Sequence, residues 1–152
     1  MARLFETSKD VVELIEKKFD DTTLGGIGIN LKVISTPKAK TIVKVQRASA
    51  TTNFLTQKDV IITVFEEAFD RLSDEYKEKI VDGALSNISY DPEKDRLTVE
   101  GDIAKEMFRM RRKYDNYIDI MEAAYIIIEE IEEEEKRRKE EERLAKAEKK
   151  RK

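Results

Sequence analysis

The sequence predicts an α+β fold in which a small sheet of three to five strands is packed by helices and followed by a long charged C-terminal helix. Two observations carry this. Val60, Ile61, Ile62 and Val64 form a short apolar run rich in β-branched residues, which reads as a buried strand. Directly after it, Tyr76, Ile80, Val81, Ala84, Leu85 and Ile88 recur at three- and four-residue spacings, the period of a helix with one buried stripe. Ser73 caps that helix, with Asp74 and Glu75 at its positive end. Glu66 to Leu72 form a short helical link between strand and helix.

Before this centre, Thr7 or Ser8 opens a first helix, with Thr7-Ser8-Lys9-Asp10 as a loose capping box. Val11, Val12, Leu14, Ile15 and Phe19 supply its stripe, and it ends near Asp20. Gly25, Gly26 and Gly28 lack the Lys-Ser/Thr and following helix of a phosphate-binding loop, so they lead into a strand in which Ile27, Ile29, Leu31 and Val33 alternate. A turn at Thr36-Pro37-Lys38 precedes a second alternating strand from Thr41 to Gln46, and the two strands are expected to form a hairpin. Lys32, Lys38, Lys40, Lys44 and Arg47 make this region basic, but no aromatic stands between Phe19 and Phe54 to stack on bases, which favours a solvated sheet face. Residues 48–57 read as a link.

After the central helix, Ile88 to Tyr90 and Arg96 to Glu100 read as a small hairpin about a polar turn. Asp102 caps a further helix with Ile103, Met107 and Met110 on its stripe. Arg109, Arg111, Arg112 and Lys113 form a basic patch there, read first as solvated charge paired with Asp102, Glu106 or Asp115 and second as a contact for nucleic acid or an acidic protein. In the last helix Tyr114, Tyr117, Ile118, Met121, Ala124, Tyr125, Ile128 and Ile131 follow a heptad-like stripe, with Ile126 and Ile127 beside it. So wide a stripe needs more than one neighbour, either the body and a partner or a helical, coiled-coil oligomer. Tyr114, Tyr117, Ile118, Met121, Tyr125, Ile128 and Ile131 are therefore the expected partner-binding set. Beyond Ile131 the stripe stops, and Glu132–Glu135 stand four residues before Lys136–Lys139, a pattern that holds a solvated helix through ion pairs. Lys149, Lys150, Arg151 and Lys152 end the chain as a second basic cluster. Three segments follow: a domain over 1–113, an interaction helix over 114–131 and a charged extension over 132–152.

Composition narrows the chemistry. Residues 132–152 carry a net charge of +2, which leaves −5 on the rest, so the body is no phosphate-tracking surface. With no cysteine and no histidine, disulfides, imidazole-dependent triads and His-ligated zinc are excluded. No stretch has the length of a signal peptide's apolar core or of a membrane span, so the expectation is a soluble protein that is not secreted by a signal peptide.

The order of strand, acidic-aromatic link, Leu72-Ser73-Asp74-Glu75 helix start and helix resembles a family of metallopeptidase domains encoded by bacteriophages. The likeness runs through roughly residues 27–114 and implies a minimal zincin-like core. In that family the helix bears HExxH. The two metal-binding histidines would fall on Gly83 and Asn87, and the general-base glutamate on Ala84, so the motif is degenerate here. Neither glycine nor alanine offers a donor atom. A carboxylate site for a hard cation from Asp59, Asp82 and Glu100 is the one remaining metal reading, and the expectation is no catalytic residue, no metal and no cofactor. Gly83 and Asn87 share one side of the helix, so the former cleft is expected to be filled by the chain's own C-terminal helix or used as a docking groove. The resemblance implies a phage origin; together with the missing motif and the partner-seeking helix, it leads to the expectation of a non-catalytic structural or interaction protein in the virion or host cytoplasm. Its expected partners are other phage structural proteins or further copies of itself. The alternative is a regulator of an enzyme or nucleic acid acting through the basic patches.

Overall fold

The computed structural model describes residues 3–151. In chain order the elements are β1 (Phe5–Glu6), α1 (Lys9–Asp20), a 3-10 turn (Thr23–Gly26), β2 (Leu31–Ser35), β3 (Val43–Arg47), α2 (Ala50–Thr56) and β4 (Val60–Val64). They continue with α3 (Glu66–Asp70), α4 (Asp74–Leu85), β5 (Ile88–Asp91), β6 (Arg96–Val99), α5 (Ile103–Lys113) and α6 (Tyr117–Arg151). This is the expected α+β architecture, with a four-stranded mixed sheet, a separate two-stranded hairpin and a long C-terminal helix.

The sheet order is β1-β2-β4-β3. β2 and β3 therefore do not form the expected hairpin; β4 lies between them, parallel to β2 and antiparallel to β3. The reason is apolar content. Val60, Ile62 and Val64 are fully buried, and the most apolar strand takes the place where both edges are paired. The lysine-bearing β2 and β3 flank it. The strand expected from Ile27 begins only at Leu31, because the 3-10 turn and Gly28, at φ +88°, redirect the chain first.

Helix starts are only partly as expected. Ser73 Oγ accepts from the Tyr76 N–H, and Asp102 from the Ala104 N–H. Ser8 makes no side-chain cap. Its own N–H instead donates to Glu66 Oε1 at 2.6 Å, so the carboxylate expected from the capping box comes from α3. The same oxygen accepts from the buried Ser35 hydroxyl at 2.9 Å, which ties α1, β2 and α3. Residues 48–57 are not a simple link: Ser49 caps α2 through the Thr52 N–H, and Gln57 closes it at φ +60°.

The core lies between one sheet face and α1, α3, α4 and α6. Val11, Ile15 and Phe19 of α1, Ala68 and Phe69 of α3, and Ile80, Val81 and Leu85 of α4 meet it from the helices. α6 contributes Ile120, Ala124, Ile128 and Ile131. The first half of this helix is thus a wall of the body, and only its second half is free.

Candidate functional site

Gly83, Ala84 and Asn87, the residues singled out by the resemblance, lie on the last turn of α4 and just past its end. Gly83 and Ala84 are buried, and Asn87 follows the C-cap. Beside them Tyr117, the first residue of α6, is fully buried and points its ring at Gly83. A Cβ placed on Gly83 would run into the Tyr117 hydroxyl and stand 2.8 Å from its Cζ. Glycine is required here for closeness of approach. It lets a phenol from α6 occupy the space over α4.

Polar groups close around that phenol. Tyr117 Oη donates to Glu106 Oε2 at 2.9 Å, and Asn87 Nδ2 donates to Glu106 Oε1 at 2.6 Å. Arg109 Nη2 donates to Asn87 Oδ1 at 2.7 Å, and its Nε to Ser86 Oγ at 3.2 Å. Ser86 Oγ in turn donates to the Gly83 carbonyl at 2.5 Å. Among the described residues no buried side-chain polar atom is left without a partner. Burial, followed by the charge of Glu106 and the hydrogen bond to it, pushes the Tyr117 phenol far above its usual range, so it holds its proton and acts as a donor.

The three carboxylates considered for a cation are committed elsewhere. Asp82 Oδ2 accepts from Tyr114 Oη and from Lys18 Nζ at 3.4 Å, with Lys113 Nζ at 3.7 Å. Burial and this bond push the Tyr114 phenol up to about 12. Asp59 accepts from the Asn30 N–H and from Asn53 Nδ2. Glu100 pairs with Lys105 at 3.5 Å. Among the described residues no three His, Cys, Asp or Glu side chains are grouped as a metal centre.

An open cleft of about 520 Å³ lies over this network. Ala84, Asn87, Glu106 and Tyr117 line its base, β3 with its lead-in from Ala39 one side, and Ile103, Met121 and Tyr125 the other.

Residues 3–125 match the model of the family described as "Putative phage metallopeptidase". The chain belongs to that family. The match ends within α6, so the charged stretch beyond it lies outside the shared region. Neither the curated proteins nor the solved structures include a match.

Judged against the metal that membership implies, the donor set does not fit. Gly83 and Ala84 have no donor atoms, both ends of the Asn87 amide are engaged, and the Tyr117 ring takes the volume above them.

The expected partner-binding residues divide. Tyr117, Ile128 and Ile131 are buried in the chain's own core and are unavailable to a partner, as the missed Ile120 also is. Tyr114 and Met121 are half-buried, while Ile118 and Tyr125 are exposed, as is Ile126 beside the stripe. The inward face is narrower than the heptad-like stripe: Tyr117, Ile120, Ala124, Ile128 and Ile131 face inward, and Ile118 and Tyr125 do not. The basic set divides as well. Arg109 binds Asn87 and Ser86 rather than an acidic neighbour, and Arg112 lies over the exposed Phe108 ring at 4.9 Å. Arg111 is exposed, as are Lys149, Lys150 and Arg151; Lys152 lies outside the described residues. Glu106 went unrecognised as a site residue. Its only sequence signal was its place one turn before Arg109, which suggests an ion pair and not a bridge between α4 and α6.

Proposed function

We propose that this chain is a non-catalytic member of the phage metallopeptidase family that works as an interaction module, a structural component of the phage particle. What carries the reading is that the Tyr117 phenol and the Asn87–Glu106–Arg109 hydrogen bonds fill the space around Gly83, Ala84 and Asn87, the positions to which the resemblance assigns the family's metal ligands and general base. A hydrolytic metal site needs an open coordination position and a carboxylate beside bound water. Here Glu106, the carboxylate at that place, already accepts from Tyr117 and Asn87.

What remains accessible is suited to binding. The cleft keeps an apolar side, Ile118, Tyr125 and Ile126 stay exposed on α6, and residues beyond Ile131 form a charged helix clear of the core. The regulator reading is weakened because Arg109 is spent on the network and Lys113 lies beside Asp82, which thins the basic patch. The test is cross-linking mass spectrometry on phage particles carrying the full chain or a version ending at Ile131, which keeps the core half of α6. Cross-links from Lys136 to Lys150 into other particle proteins, lost on truncation, are expected. Absence of the protein from particles, or links to a polymerase or nuclease, would overturn the structural role.

A further inference from the structure

We infer that α6 beyond Ile131 is a rigid spacer, a single helix that stands without a partner and holds the chain's basic end at a fixed distance and direction from the body. From Lys136 to Arg151 every residue is exposed, so burial holds nothing there. A helix polar on all sides bridges two bodies, is supported by many i,i+4 pairs, or is not stable. The pairs are present. Glu132, Glu133, Glu134 and Glu135 stand four residues ahead of Lys136, Arg137, Arg138 and Lys139, and Glu142 four ahead of Lys146, all in the favourable order. Lys139 over Arg143 and Lys146 over Lys150 are like-charged at the same spacing and are outnumbered. Glu135 Oε1 lies 3.1 Å from Lys139 Nζ, whose hydrogen bond holds the carboxyl below its usual range, and Glu140 Oε1 lies 3.8 Å from Arg143 Nη2. Every residue from Glu132 to Arg151 is Glu, Lys, Arg, Leu or Ala, the strong helix formers.

The base of the rod is clamped. Ile120, Ala124, Ile128 and Ile131 of the same helix are buried in the core, and Arg71 of the body donates to both oxygens of Glu134, from Nη1 at 3.3 Å and Nη2 at 2.8 Å. α6 holds no glycine or proline, the usual causes of a kink, so the direction set in the core carries through. At the rise of a helix, the stretch from Glu132 to Arg151 reaches about 30 Å beyond the core. A flexible chain of that length spans about 25 Å on average, so the helix adds little reach. What it adds is direction and a narrow spread of distance. A second copy is not needed to hold it: Leu144, Ala145 and Ala147 are the stretch's apolar residues, too few for the a and d seam of a coiled coil. Lys146, Lys149, Lys150 and Arg151 crowd the far end, where they also suit the helix dipole, so what the rod presents is positive charge.

The spacer holds whether or not the cleft is catalytic, so metal analysis does not bear on it. The chain has no cysteine, and Glu122→Cys with Ala147→Cys, both at exposed positions, places one spin label on the core half of α6 and one on the extension. Pulsed electron paramagnetic resonance on the labelled full chain, diluted in excess unlabelled protein, reads the distance between them. The expected result is a single narrow distance near about 37 Å, the rise of an unbroken helix between the two positions, unchanged with total protein concentration. A charge variant (Lys136→Glu, Arg137→Glu, Arg138→Glu and Lys139→Glu) keeps strong helix formers and the Arg71–Glu134 pair but sets like charges four residues apart, and its distribution should turn broad. Near-ultraviolet circular dichroism confirms that its body is folded, as the exposed positions of the four changes lead one to expect. A broad distribution in the wild type, a narrow one that appears only as total concentration rises, or a charge variant as narrow as the wild type would each overturn the proposal.

Discussion

Replacing Gly83 with alanine tests the packing of α6 over α4, because the sign of the effect depends on it. In an open helix position the change stabilises by about 1 kcal/mol, since alanine is the better helix former. Here the new Cβ meets the Tyr117 ring, 2.8 Å from Cζ, and Tyr117 has nowhere to go without leaving Glu106. Overpacking of this kind costs about 1–3 kcal/mol. Loss of the hydrogen bond to a carboxylate that stays behind costs roughly 1–3 kcal/mol more. Set against the helix gain, the net is a destabilisation of about 1–5 kcal/mol, or on the order of 10 °C in Tm for a domain of this size. Urea unfolding at constant pH measures it. Tyr117→Leu in the same chain removes the obstructing ring, so the double variant should be less destabilised than the two singles summed. A Gly83→Ala protein as stable as the wild type or more so would refute the arrangement.

Three more outcomes follow from the same contacts. Tyr114 and Tyr117 both hold their protons above the usual tyrosine range, so their contribution is intact below about pH 10 and is lost as pH rises through the raised values, about 12 for Tyr114. The urea midpoint should fall steeply there in the wild type and less so in Tyr114→Phe; equal slopes would argue against the Asp82 bond. Asp82→Ala leaves Tyr114 and Lys18 without their acceptor, and a loss of roughly 1–3 kcal/mol is expected by chemical denaturation. Ending the chain at Ile131 removes the exposed Arg71–Glu134 pair, which solvent screens, so the midpoint should barely move while helical circular dichroism drops.

Much of the fold was legible because its signals are local. The periodicity of α4, the run in β4 and the caps at Ser73 and Asp102 each announce their element within a few residues. What the sequence hid was pairing at a distance. Strand alternation around Val33 and Val45 says nothing of which neighbour each strand takes, and the hairpin expectation failed because a later strand was more apolar. α2 was missed since its seven residues bury no apolar stripe, although Ser49 was an available cap signal. The spacing of Gly83 and Asn87 led to an expectation of one helix face, but α4 ends at Leu85 and Asn87 lies past its C-cap. Glu106 and Arg109 were not legible, because their meaning depends on α5 lying against the end of α4. Of the two uses expected for the former cleft, filling by α6 is realised at its base through Tyr117.

The most direct measurement is metal analysis of the full-length protein purified from zinc-supplemented cells, followed by calorimetric titration with zinc. With Gly83, Ala84 and Asn87 offering no free ligand set and Tyr117 occupying the space, no stoichiometric zinc and no measurable binding heat are predicted. One tightly bound zinc per chain would contradict the account.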